Sequence, residues 1–300
     1  MHIAEGILRS VLERLDRTGV PDSHLGKELH EVFTVARPCR NSPASAQMRR
    51  DFPARNARFR ERRKFLMHIA EGILSPAQCG VWYAVSAPFV VWGAVEVVKE
   101  VKHHPENRLL LATAGAFTFV LSAIKLPSVS GSSSHPTGTG AGAVLFRPPV
   151  MAFLGMIVLI FQALLLAHGG ISTLGANTFS MAIVGPWVGY AFYKLTKVCH
   201  GPDALAIFLA MATADFSTYC VTSVQLGIAF PDQQSGVGGA AAKFLGIFAT
   251  TQVPLAIAEG FLGILLFRFL ANVAAPQLRK LGVLADEPAE SADAAEVSHA

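Results

Sequence analysis

Charge is scarce in this chain of 300 residues: Asp, Glu, Lys and Arg together make up 15% of it, against about 25% in soluble globular domains. Cysteine is scarcer still. The four present, Cys39, Cys79, Cys199 and Cys220, show no CxxC spacing, so they read as packing residues and exclude a disulfide framework or a thiolate metal knuckle. No Gly-x-x-x-x-Gly-Lys loop occurs, so nothing in the chain is built to cradle a nucleotide triphosphate. No His-Glu-x-x-His pair occurs either, which argues against a membrane-embedded hydrolase of that type. The apolar stretch at the very start is short and soon broken by charge, unlike a secretory signal peptide.

What the chain does have is apolar length. Hydrophobic residues are 52% of it and the mean hydropathy is +0.43. The basic residues are concentrated at the front: of the 25 Lys and Arg, 14 lie in residues 1–66 and 11 in the other 234. The net charge of +4 therefore describes the front segment, and gives no reason to expect nucleic-acid binding by the apolar body. Residues 1–66, interrupted by Pro38, Pro43 and Pro53 and ending in the basic run Arg49–Lys64, cannot bury a core. A disordered extension is expected there. It is either an upstream segment outside the working protein or a basic arm at a membrane surface.

From Ser75 onward, long apolar runs alternate with short polar breaks: 77–98, 109–126, 149–167, 171–195, 204–230 and 242–270. Each is near the ~20 residues that cross ~30 Å of hydrocarbon. The expected fold class is all-α, a polytopic membrane helical bundle. From Pro276 the chain is Ala- and Glu-rich and reads as a disordered tail, so the expected organisation is 1–66, 67–275 and 276–300.

Loop charge sets the expected orientation. Lys99, Lys102, Arg108, Arg147, Lys194, Lys197, Arg279 and Lys280 fall in one set of loops, while those around His135, 169–173 and 231–239 carry no Lys or Arg. If the basic set faces the cytoplasm, Met67 and His135 lie outside and Arg147 inside, with no full-length span between His135 and Arg147. Residues 136–147 must then cross as a short or re-entrant segment, allowed only where protein satisfies its backbone. This raises the expected total to about seven segments.

The octet Met67-His68-Ile69-Ala70-Glu71-Gly72-Ile73-Leu74 repeats Met1–Leu8 letter for letter. In a chain beginning at Met67, the free amine, the His68 backbone nitrogen and the His68 imidazole can close two fused chelate rings on one ion. His135 offers a fourth nitrogen. Four nitrogens in a plane suit Ni(II), Cu(II) and low-spin Co(II) better than Zn(II), and binding would weaken in acid. The residues leave bland readings open: His68 as a membrane-interface histidine, His135 as a polar loop residue, Glu71 as a helix cap, His168 as an interfacial helix-end group. Asp215 and Glu259 fall within spans, where charge is costly. Interhelical hydrogen bonding, with Thr250-Thr251-Gln252 nearby, is the simpler reading of both.

Several stretches together resemble the cobalt/nickel substrate-binding membrane component of energy-coupling-factor transporters, the CbiM/NikM family. They are Met67–Gly72, Gly131–Gly138 (GSSSHPTG), His168–Met181 (HGGISTLGANTFSM), 215–226 (DFSTYCVTSVQL) and Thr251–Gly260 (TQVPLAIAEG), running in order to about Val273. The resemblance implies a seven-helix subunit that captures Co(II) or Ni(II) as its transported substrate and has no prosthetic group. It implies metal ligands from Met67 (amine), His68 (amide and imidazole nitrogens) and His135 (imidazole). It also implies an energy-coupling transmembrane subunit, cytoplasmic ATPase subunits and a small accessory membrane subunit as partners in a bacterial cell membrane. The 66-residue extension departs from the pattern, since with it Met67 has no free amine; a start at Met67 is therefore expected, ahead of a substitution by Met1 and His2. The competing reading is a self-sufficient metal permease, for which Asp215 and Glu259 are the candidate ion-coupling carboxylates.

Overall fold

A computed structural model describes residues 69–127 and 133–284. The extension 1–66, Met67, His68 and residues 285–300 lie outside the described residues. Helix α1 (Pro76–His103) starts where Ser75 accepts the Gln78 backbone N–H and Gln78 reaches back to the Ser75 N–H, with Pro76 in the first turn. That is a capping box, which supplies acceptors for donors the first turn cannot pair. Glu71 therefore does not cap α1, contrary to the simpler expectation for it. A 3₁₀ turn (Pro105–Asn107) leads into α2 (Arg108–Ala123). Two short strands, β1 (Leu126–Pro127) and β2 (Ser133–Ser134), pair antiparallel.

Helix α3 (Thr139–Leu165) is broken at Arg147 (φ 67°, ψ 158°), just before Pro148 and Pro149. Its first eight residues, 139–146, are all buried and span only about 12 Å at 1.5 Å per residue. This is the short inward-dipping segment that the charge pattern requires. Next come α4 (Leu174–Asn177), a π-helical stretch (Thr178–Val184) and α5 (Gly185–Val198), which continue one into another as a single span. Helix α6 (Asp203–Ala229) follows, then α7 (Gly236–Val273), about 57 Å long at the same rise. Among the described residues, α1, α3, α6 and α7 are each long and apolar enough to cross a membrane. Large apolar side chains such as Val91, Leu109, Val120, Leu164, Phe261 and Leu265 are exposed along the flanks, as hydrocarbon-facing surface requires. The protein is an all-α membrane bundle with a re-entrant half-helix at its centre.

Helix α6 is the hub, packing most closely on α7 and α5. It carries two separate apolar cores along its length. Ala206, Ala210 and Met211 join Val144–Phe146, Tyr193, Phe267 and Leu278 in one. Tyr219 and Leu226 join Ile69, Leu74, Ala176 and Phe248 in the other. One boundary needs correcting. Residues 276–284 are not part of an unstructured tail: Ala275–Lys280 forms helix α8, and Leu278 and Val283 are buried in the first core. Leucine and valine at those two positions give that part of the tail an apolar face to dock.

Candidate metal-capture site

His135 stands in the four-residue loop that enters the half-helix, and it is fully buried. Several backbone groups around it find side-chain partners. The Tyr219 hydroxyl on α6 donates to the His135 carbonyl at 2.8 Å. The His135 Nδ1 lies 2.9 Å from the Pro136 carbonyl, so Nδ1 carries the proton and Nε2 is the basic nitrogen of the ring. Glu259 on α7 accepts the Thr137 N–H at 2.7 Å, the Gly138 N–H at 2.8 Å and the Thr137 hydroxyl at 3.2 Å. Thr118 on α2 donates to the Gly138 carbonyl at 3.3 Å. Gly138 has φ +69°, and the α2 backbone and Leu121 press where a side chain would sit. Only glycine turns the chain into the half-helix there.

His168 is read from sequence as an interfacial helix-end group; it lies beyond the end of α3 and is closed off from solvent. It is buried in the loop between α3 and α4, its ring 5.0 Å from that of His135 and steeply inclined to it, at 76°. Burial pushes the His135 imidazole down to about 4. Burial, followed by the neighbouring His135, pushes His168 down to about 3. Both rings are therefore neutral at ordinary pH, the form that ligates a metal.

The third wall is the segment following position 68. Ile69 is fully buried. Its N–H donates to the Asn177 side-chain oxygen at 3.2 Å. Its carbonyl accepts from the Asn177 amide at 3.2 Å and from the Thr173 hydroxyl at 2.6 Å. Asn177 thus grips both the N–H and the C=O of one residue, in the manner of a strand partner. Two residues on, Glu71 accepts the Ser172 N–H at 3.0 Å, and hydrogen bonds from Ser172 hold its carboxyl below the usual carboxylate range. Gly170 lets this approach happen, because a Cβ there would collide with the Glu71 backbone. The Tyr83 hydroxyl on α1 ties down the Ile171 carbonyl from the other side.

The structure thus brings His135, His168 and the peptide of Ile69 to one buried region around Tyr219. Met67 and His68 themselves lie outside the described residues. Among the described residues, no group of three or more His, Cys, Asp or Glu side chains converges on a single point. Asp215 is buried on α6, where it accepts from Gln252 at 2.6 Å. Interhelical bonding is thus right for Asp215, whereas Glu259 turns to the loop backbone. The roles of Asn177, Thr173 and Tyr219 escaped the sequence reading. Their only signal was polarity within or beside apolar runs.

Residues 68–277 match the family model described as the cobalt uptake substrate-specific transmembrane region. The chain is 72% identical over 234 residues to the cobalt transport protein CbiM of Propionibacterium freudenreichii subsp. shermanii, covering 78% of this chain and all of that one. It is 60% identical over 218 residues to the cobalt transport protein CbiM of Streptomyces coelicolor, covering 73% of this chain and 94% of that one. The fold resembles the crystal structure of a truncated transition metal transporter, with a TM-score of 0.59 at 27% identity, over 68% of this chain and 98% of that one. A second transition metal transporter matches with a TM-score of 0.60 at 26% identity, over 69% and 93% of the two chains. The buried imidazole pair, the clamped segment beginning at Ile69 and the re-entrant half-helix therefore sit in a chain that belongs to the cobalt-uptake substrate-specific transmembrane (CbiM) family of transition-metal transport components.

Proposed function

We propose that this protein is the substrate-capture subunit of an ATP-driven energy-coupling-factor importer for cobalt or nickel ions. The observation that carries the reading is the clamp on Ile69. Asn177 and Thr173 hold Ile69, which packs in the same apolar core as Tyr219, the residue that bonds the His135 carbonyl. The amine of Met67, the amide and imidazole nitrogens of His68 and the imidazole of His135 then make the planar four-nitrogen set that suits Co(II) and Ni(II). The free amine requires a chain that starts at Met67.

Arg147, Lys194 and Lys280 line one cleft at the end of the bundle away from His135. With that basic end in the cytoplasm of a bacterial inner membrane, the site opens outward. Energy would come from a coupling membrane subunit and cytoplasmic ATPases, with a small accessory membrane subunit. In a self-sufficient permease, Asp215 and Glu259 would have to line the ion path. Their hydrogen bonds to Gln252 and to the loop backbone favour a holding role instead.

The test is cobalt and nickel uptake in cells carrying His68→Ala or His135→Ala. Uptake should fall at least about a hundredfold, as expected for loss of a ligand from a four-ligand site. Normal uptake by both variants removes the site. A chain beginning at Met67 should transport, and one blocked there by an uncleaved upstream segment should not. Equal uptake by the two sinks the free-amine requirement.

A further inference from the structure

Glu259 stands well inside α7, with its carboxylate fully sequestered among apolar helices. An ionisable group at that depth is costly and is retained for a task. Its partners identify the task. Among the described residues it bonds no Lys or Arg; its oxygens accept from the N–H groups of Thr137 and Gly138, which immediately precede the half-helix beginning at Thr139. Those donors have no acceptor within the helix, and the positive end of the helix dipole points the same way. A carboxylate is the natural complement to both. Here it caps a helix from a different span, and the capped residues are the second and third after His135.

The same loop is gripped on its other side by Tyr219, four residues after Asp215 on α6. Asp215 accepts a hydrogen bond from Gln252 of α7, two turns before Glu259 on the same helix. Helices α6 and α7 are thereby locked to each other at the level where both reach the loop. Displacing the loop that carries His135 would break the two backbone bonds to Glu259 or the Tyr219 bond.

We propose that Glu259 is a positioning residue for the metal site: acting through the Thr137 and Gly138 amides, and braced by Asp215 and Gln252, it fixes the His135 imidazole in the plane that the ion requires. The role rests on His135 being a ligand, as proposed above. Glu259 does not touch the ion. Its contribution is to remove the loop's freedom before the ion arrives, so that capture does not have to order the loop.

The experiment uses the protein purified from its membrane in detergent, with Ni(II) for affinity and Cu(II) for its visible absorption band. That band moves to longer wavelength when a nitrogen leaves the plane. Glu259→Gln keeps size and one acceptor but turns an NH₂ group toward one of the two N–H donors. It should weaken Ni(II) binding about tenfold or more and shift the Cu(II) band in the direction that His135→Ala shifts it. Tyr219→Phe removes the other grip without touching the carboxylates and should move the band the same way by less; it also serves if Glu259→Gln does not fold. A His135→Ala shift with both other variants at the parent wavelength and affinity overturns the positioning role alone. No shift in His135→Ala overturns the ligand assignment, and the positioning role with it. A merely structural role for Glu259 would lower the melting temperature and leave the band in place.

Discussion

The two ends of the half-helix 139–146 are built on opposite principles. At its start every loop amide and carbonyl named above has a protein partner, the turn uses a glycine, and the surroundings are dry. At its other end the chain turns through Arg147, an exposed residue in a conformation that L side chains rarely adopt. Beyond it opens a polar cleft of about 820 Å³, lined by residues including Glu96, Glu100, Asn107, Lys194 and Lys280. The difference teaches where backbone irregularity can be tolerated. Away from water, a helix break must be satisfied by other spans. Beside a hydrated cleft, water and charged side chains suffice and the strain can be left in place.

This contrast is broken most strongly through pH. Burial holds His135 at about 4 and His168 at about 3, below the 6.5 of a free imidazole. In the unfolded chain each takes a proton as pH falls through about 6.5, while in the fold neither does until those lower values. Their contribution to stability is complete above about pH 6.5 and is lost as pH falls toward about 4. The metal-free protein in detergent should lose about 1 kcal/mol per pH unit per imidazole between about pH 6.5 and pH 5. Thermal melting across that range checks it, and a flat midpoint would mean that the histidine end is wetter than described.

A smaller effect should follow from Asn177→Ala. It removes the paired acceptor and donor from the Ile69 peptide and leaves a buried N–H without a partner, at a cost of about 1–3 kcal/mol. Part of that should appear as Ni(II) affinity weaker by about tenfold, measured by competition with a coloured chelator. Parent affinity would show that the segment holds its place without the clamp.

The smallest effect belongs to the open end. Glycine occupies the Arg147 conformation without strain, relieving about 1–3 kcal/mol against about 0.5–1 kcal/mol of added chain entropy. Arg147→Gly should therefore raise stability by about 1 kcal/mol, with metal affinity unchanged. A stability loss instead would mean that the arginine side chain holds the cleft together.

Hydropathy and loop charge were enough to foresee the segments, and Arg147 on the wrong side of an apparent loop was enough to demand a re-entrant piece between it and His135. His135 itself stood out as an imidazole among Ser, Gly and Thr. The ordered helix at Ala275–Lys280 was missed because its apolar content, Leu278 and Val283, is too sparse to register until a core is there to receive it. Glu71 was misread because a capping role is local, whereas its partner Ser172 lies 101 residues away.

Sequence by itself determined that this chain is a membrane bundle and which residues have metal-binding chemistry, because transfer from water to hydrocarbon and ligand type are properties of each residue and its near neighbours. Only the tertiary structure decided that His168 faces His135, that Asn177 holds Ile69, and that Glu259 accepts from the Thr137 and Gly138 amides. Those outcomes depend on which helices come to lie side by side, and in a buried site the backbone must be satisfied by whichever side chains that packing delivers.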